Sequence, residues 1–129
     1  MTPELYYLAA TALLTAVIWL PYALNYIIAG GLMNAIGPHA DVDGMADWAI
    51  RMKKAHANAI ENLVVFAALV LVIQAAGANN DTTALAAMIF FWARLAHLLT
   101  QTFGIPWVRT LAFATGFGCQ VVLALQVIM

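Results

Sequence analysis

Residues 51–66, RMKKAHANAIENLVVF, contain the change of character that decides the fold. Positions 51–62 carry three cations, one histidine, two asparagines and one glutamate, and an unbroken apolar run follows. A surface helix of a soluble protein would become polar again within a turn or two, because one of its faces meets water. The stretch therefore predicts a helix that enters a membrane and is polar where it enters.

Composition supports a membrane protein. The 129 residues are 65% hydrophobic and 9% charged, with a mean hydropathy of +0.91, whereas about a quarter of the residues in soluble domains are charged. The net charge is −1 and the five basic residues form no large patch, which argues against a nucleic-acid partner. The single cysteine, Cys119, excludes an intramolecular disulfide and is expected to be a small buried hydrophobe.

Four apolar stretches predict an all-α integral membrane protein, a single domain over residues 1–129 in which four transmembrane helices form a bundle. The first stretch has no basic leader or cleavage pattern, so it is interpreted as a retained helix and not as a signal peptide. The predicted helices cover residues 5–31, 47–76, 83–103 and 106–128, and residues 32–46 form the one long loop.

Proline, glycine and helix-capping residues predict where these helices begin, bend and end. Pro21 is expected to kink the first helix, because proline removes one backbone hydrogen bond. Gly77 is a plausible residue to end the second helix, and the third is expected to stop at Gly104. Asp81 or Thr82 is the expected cap of the third helix, and Pro106 suits the first turn of the fourth.

The distribution of cations predicts the orientation in the membrane. None lies at either terminus or in the 77–83 connection. By the positive-inside rule, the loops after helices one and three are cytoplasmic and both termini lie on the opposite side. The five basic residues behind this prediction are Arg51, Lys53, Lys54, Arg94 and Arg109.

The polar residues of helices two and three form two stripes. Helix three places Arg94, His97 and Gln101 on one face. A lone carboxylate in hydrocarbon costs a few kcal/mol, so Glu61 is predicted to face the bundle and to pair with Arg94. The stripe of helix two spans an arc of about 100° and consists of Arg51, Lys54, Asn58, Glu61 and Asn62.

These stripes leave two interpretations open. They can fix the register of the helices through buried polar contacts. Alternatively, they form a cationic recess floored by a carboxylate, which suits a ligand with terminal carboxylates and one amine. No metal site is predicted, because His39, His56 and His97 lack the spacing of metal ligands.

The opening stretch resembles the helix-two signature of the MAPEG family, the membrane-associated proteins in eicosanoid and glutathione metabolism. That signature is a basic residue, Ala, His or Gln, any residue, Asn, two more residues and Glu, which corresponds here to KAHANAIE at 54–61. The segment ARLAHLLTQTFGIPWVRTLAF at 93–113 is similar to the third-helix Arg-x-x-His element and the following Pro and Arg of the prostaglandin E synthase and microsomal glutathione transferase branch.

The resemblance implies a homotrimer that holds glutathione between neighbouring subunits, toward the cytoplasm. It implies that Arg109 stabilises the glutathione thiolate, which attacks a lipophilic small molecule, an electrophile or a peroxide, entering from the membrane lipid. Gln101 and Phe113 stand where conjugating relatives usually carry tyrosines, so a hydroxyl bond to the thiol is expected to be missing. The implied glutathione-binding residues are Arg51, Lys54, Asn58, Glu61, Arg94 and His97.

Three functions therefore remain open. The first is a glutathione-dependent membrane transferase or peroxidase. The second is a non-catalytic, MAPEG-like structural or accessory subunit of a larger membrane assembly. The third is a small transporter or channel along Glu61 and Arg94, but the apolar outer halves of helices two and four argue against a continuous polar path.

Overall fold

The computed structural model describes residues 1–31 and 46–129. His39 and nearly all of the predicted loop at 32–46 lie outside the described residues. Within the described ranges the chain is helical and contains no strand, so the all-α prediction is confirmed. The helices are α1 Pro3–Val17, α2 Trp19–Gly30, α3 Asp47–Ala76, α4 Asp81–Phe103 and α5 Pro106–Ile128.

The first membrane span, Pro3–Ala29, is made of α1 and α2 and is interrupted at Ile18. The cause is Pro21, which has no N–H to donate to the carbonyl of Val17 four residues earlier. The predicted irregularity is therefore present, three residues before the proline. The span begins earlier than predicted because the hydroxyl of Thr2 accepts a hydrogen bond from the N–H of Leu5 at 3.4 Å.

Within residues 1–31 and 46–129, four spans are long and apolar enough to cross a membrane, and α4 is the most buried of them. This helix packs against α1, α3 and α5, while α2 packs against α3. The predicted four-helix membrane bundle is thus confirmed.

The largest apolar core lies between α3, α4 and α5, in the half of the bundle that contains the chain termini. At its centre the rings of Phe66 and Phe90 stack with their centroids 4.0 Å apart. Cys119 is buried in this core, as predicted. A smaller cluster of Ile18, Ala55 and Leu98 joins α3 and α4 to the interruption in the first span.

The ends of α3 and α4 follow the prediction, but the start of α4 does not. Gly77 and Gly104 end α3 and α4 in the left-handed conformation, with φ of 65° and 73°. The start of α4 is capped by Asn80, so the predicted caps Asp81 and Thr82 are wrong. The side chain of Asn80 accepts a hydrogen bond from the N–H of Thr83, and the hydroxyl of Thr83 accepts one from the N–H of Asn80. This reciprocal arrangement starts the helix at Asp81, two residues earlier than predicted.

A network that we call the terminal polar cluster joins α1, the α3–α4 connection and the end of α5. The carboxyl group of Glu4, which is 1% exposed, accepts hydrogen bonds from the side chains of Asn79 and Thr83. Further side-chain bonds link Thr2 to Gln74 at 3.1 Å and Asn80 to Gln126 at 2.9 Å. The cluster consists of Thr2, Glu4, Gln74, Asn79, Asn80, Thr83 and Gln126.

Candidate functional site

An open cavity of about 310 Å³ lies at the opposite end of the bundle, where α3 begins, α4 ends and α5 begins. We call it the loop-end cavity. Its volume is at the lower limit of small-molecule sites, roughly 300–1,000 Å³. The lining residues are Lys54 and Asn58 from α3, His97 and Gln101 from α4, and Arg109, Thr110 and Phe113 from α5.

Helical spacing explains why these side chains converge. Each of the three helices contributes a pair of residues four positions apart, and such pairs lie on one face. The short turn at Gly104 then folds the first turn of α5 back beside the last turn of α4. There the Nη1 atom of Arg109 donates a hydrogen bond of 2.9 Å to the Oε1 atom of Gln101.

Four of the seven predicted site residues line the cavity: Lys54, Asn58, His97 and Arg109. A fifth, Arg94, lies behind the cavity wall and is 4% exposed. Its Nη2 atom donates to the Oδ1 atom of Asn58 at 2.6 Å and lies 3.4 Å from the Nδ1 atom of His97. The structure therefore brings together the predicted polar faces of α3 and α4.

Arg51 does not line the cavity. Its Nε atom donates to the backbone carbonyl of Thr102 at 2.9 Å. A guanidinium at this place satisfies a carbonyl that the end of α4 leaves unpaired and complements the negative end of the helix dipole. Within the chain, Arg51 thus holds the start of α3 against the end of α4.

Glu61 is also absent from the lining, and the predicted ion pair between Glu61 and Arg94 is wrong. Glu61 is exposed, and no ion pair with Arg94 occurs among residues 1–31 and 46–129. The contacts of Phe66 with Phe90 and of Asn58 with Arg94 show which side of α3 packs against α4. The exposed side chain of Glu61 lies outside this interface, and the buried guanidinium of Arg94 bonds to Asn58 instead.

Three lining residues were not predicted as site residues. Gln101 was placed on the polar face of helix three, and Phe113 was noted only as a replacement for tyrosine. Thr110 was not identified, although its position directly after Arg109, near the start of a membrane helix, was a usable signal. Its hydroxyl donates to the carbonyl of Pro106 at 2.9 Å.

His56 is not among the residues that line the cavity. Its Nδ1 atom lies 2.7 Å from the hydroxyl of Tyr22 and connects α3 to α2. In the part of the chain that the structure describes, no group of three or more His, Cys, Asp or Glu side chains is placed to hold a metal ion.

The lining residues give the cavity a positive character. Lys54 and Arg109 reach it, Arg94 lies directly behind it, and none of the described residues that line it is an aspartate or a glutamate. Such a wall attracts anions, and the surrounding apolar helices strengthen the attraction by excluding water. Carboxylate, thiolate and phosphate groups are the chemical classes that it suits.

Comparison with known proteins gives a family match over nearly the whole chain. A MAPEG family model matches residues 5–129. No match was found among curated proteins or among solved structures.

Proposed function

We propose, from the premise that this chain belongs to the MAPEG family, that it is a glutathione-dependent membrane transferase or peroxidase acting on a lipophilic electrophile. The chain is an integral, multi-pass membrane protein of this family of glutathione and eicosanoid metabolism. The observation that carries the proposal is the loop-end cavity, to whose lining the described residues contribute Lys54 and Arg109 but no acidic side chain.

Glutathione has the groups that this arrangement requires, namely two carboxylates, one thiol and one amine. We assign its anionic groups to the cavity residues Lys54, Asn58, His97 and Arg109. Arg94 supports Asn58 from behind. The exposed carboxylate of Glu61 lies outside the cavity, one helical turn beyond Asn58, and we assign it to the amine.

Arg109 has the chemical properties needed to activate the thiol. A free thiol has a pKa of about 8.5, and a fixed guanidinium in a site of low dielectric lowers that pKa. The thiolate then attacks an electrophilic carbon, forming a C–S bond while the displaced electron pair is protonated. With a hydroperoxide it attacks oxygen, so that the O–O bond breaks, an alcohol leaves and a second glutathione converts the sulfenic acid to a disulfide and water.

Arg51 and Arg94 have supporting roles in this proposal. Arg51 fixes the end of α4 through Thr102. A rigid end of α4 keeps Gln101 beside Arg109. In this proposal neither arginine has to contact a glutathione bound in the cavity of its own chain.

A homotrimer completes the proposed site. Glu61 lies in the middle of a membrane span and is exposed in the single chain, as is Lys54 at the edge of the cavity. An ionised side chain that faces lipid costs several kcal/mol, so a neighbouring copy is expected to cover this face. Glutathione would then be held between subunits.

The proposed site faces the cytoplasm. It lies at the end of the bundle that contains the loops after the first and third spans, and the cations are concentrated at this end. Cytoplasmic glutathione would thus reach it directly, while the lipophilic partner arrives from the bilayer.

A second candidate is a non-catalytic structural or accessory subunit that binds glutathione, or another anion, without turning it over. Gln101 and Phe113 favour it, because both line the cavity and neither has a hydroxyl that would bind the thiol. Binding without turnover separates this candidate from the enzyme.

Calorimetric titration of glutathione into the detergent-purified protein tests the proposal. We expect binding in the micromolar-to-millimolar range, weakened in Glu61→Gln and in Arg109→Ala. Arg109→Ala should also raise the apparent pKa of the bound thiol, followed by thiolate absorbance, because the guanidinium that stabilises the thiolate is gone.

Turnover is tested with a lipophilic electrophile and a lipid hydroperoxide, with Arg109→Ala beside the wild type. No heat and no protection of the fold by glutathione would contradict the proposed function. Binding that is lost in Glu61→Gln, but without turnover of either substrate, would establish the accessory subunit instead.

A further inference from the structure

We propose that Arg94 and Arg109 orient two amides, Asn58 and Gln101, so that both present N–H groups to the loop-end cavity. The resulting wall of hydrogen-bond donors selects the carboxylate or thiolate part of a ligand and rejects its amine. The inference rests on the proposed function only for the identity of glutathione as the ligand.

The orientation of Asn58 follows from the chemistry of its partner. An arginine side chain has five N–H donors and no acceptor, so the amide atom that faces it must be the oxygen. The Nη2 atom of Arg94 lies 2.6 Å from Oδ1 of Asn58, and Nδ2 of Asn62 lies 3.3 Å from the same oxygen. The oxygen is therefore occupied twice, and the NH₂ group of Asn58 has no acceptor among the described residues.

Gln101 repeats the arrangement on α4. The Nη1 atom of Arg109 donates to its Oε1 atom at 2.9 Å, which leaves the Nε2 group without an acceptor in the described part of the chain. Both amides line the cavity. Arg94 and Arg109, on two different helices, thus each bind an amide oxygen and leave the amide NH₂ group free to face the cavity.

The other polar groups of the cavity do not offset these donors. Lys54 has donors only. His97 places Nδ1 toward Arg94 at 3.4 Å, so this nitrogen accepts and the ring proton is on Nε2. The hydroxyl of Thr110 donates to the carbonyl of Pro106, so its oxygen can still accept a hydrogen bond. An ammonium group placed here would find this one unoccupied acceptor among the described lining side chains, and would otherwise meet N–H donors and cations on every helix.

Two consequences follow for the site. Gln101 supplies an N–H donor to the anionic part of the ligand at the position where conjugating relatives usually carry a tyrosine hydroxyl. Arg94 is a positioning residue, because it acts on the ligand through Asn58. The amine of glutathione must then lie outside the cavity, toward Glu61.

The test exchanges each amide for the matching acid, Asn58→Asp and Gln101→Glu. Each acid keeps an oxygen acceptor for its arginine, so the contact and the fold are retained, but the N–H donors are lost. We expect the affinity for glutathione and for glutarate, a dicarboxylate without thiol or amine, to fall at least about tenfold in each variant. The matched control is Gln74→Glu, which makes the same exchange in the terminal polar cluster, where the Gln74 oxygen is also an acceptor.

A second pair of variants tests the positioning role. Arg94→Lys keeps a donor toward Asn58 and should retain more of the affinity for both probes than Arg94→Met. If both Arg94 variants fold and lose affinity equally, the positioning role is overturned.

The outcomes separate this inference from the proposed function. Wild-type protein that binds glutarate but not glutathione, with losses in both acid variants, would support the donor wall and contradict the glutathione-dependent enzyme. Unchanged affinity in Asn58→Asp and Gln101→Glu would overturn the inference, as would equal weakening in Gln74→Glu or the absence of binding by either probe.

Discussion

The two ends of this bundle handle their polar groups in opposite ways. In the terminal polar cluster the buried carboxyl group of Glu4 accepts hydrogen bonds from Asn79 and Thr83. The side-chain amide of Asn80 donates to that of Gln126 on α5. At the loop end, Lys54 and Arg109 line an open cavity to which the described residues contribute no acid. The Nε atom of Arg94 is buried there, with no hydrogen-bond partner in the described part of the chain.

The difference separates the polar residues that stabilise the fold from those that are available to bind a ligand. A buried polar group without a partner costs about 1–3 kcal/mol, and the penalty is not relieved by lipid. The terminal polar cluster avoids this cost internally. The loop end leaves this cost in place at Arg94, and an anion in the cavity would instead occupy the N–H groups of Asn58 and Gln101. Stability and binding should therefore be separable by mutation at the two ends.

Loss of the buried carboxyl group should have the largest effect. Glu4→Ala removes the acceptor for Asn79 and Thr83, and we expect the free energy of unfolding in detergent to fall by about 2 kcal/mol. Glutathione affinity should not change, because the cavity is at the other end. Asp81→Ala, an exposed acid at the same end, is the control and should cost no more than about 0.5 kcal/mol. Equal losses in the two variants would break the comparison.

The two left-handed glycines offer a matched pair across the ends. Gly77→Ala should cost about 1 kcal/mol, since the new Cβ meets only backbone strain at φ 65°. Gly104→Ala should cost about 1.5 kcal/mol, because its Cβ would also lie 3.3 Å from the Nε atom of Arg51. Chemical unfolding of both variants measures the difference. A smaller loss in Gly104→Ala would show that Arg51 does not constrain the loop end.

The fold could be predicted from the sequence because hydropathy and helix-ending residues act locally. Four apolar runs, the effect of Pro21 and the ends at Gly77 and Gly104 all follow from residues close together in the chain. The start of α4 was missed because Asn80, Asp81 and Thr82 are all capable caps. The reciprocal bond between Asn80 and Thr83 decides between them.

The site was predictable only in part, because it depends on how the helices pack against one another. Helical projection correctly placed Lys54 and Asn58 on one face of α3, and His97 on the facing side of α4. It also predicted that Glu61 faces the bundle and pairs with Arg94, whereas Glu61 is exposed and the partner of Arg94 is Asn58. The contact of Arg51 with Thr102 likewise joins residues 51 positions apart, and no local pattern announces it.

The most direct test of the loop-end site compares two adjacent lysines. Lys53 and Lys54 are both exposed on α3, but only Lys54 lines the cavity. By calorimetry, Lys54→Gln should weaken glutathione binding about fivefold, or about 1 kcal/mol, because it removes one contact to an anionic group. Lys53→Gln, with the same loss of charge, should stay within about twofold of the wild type. Equal affinities in the two variants would contradict the assignment of glutathione to the loop-end cavity.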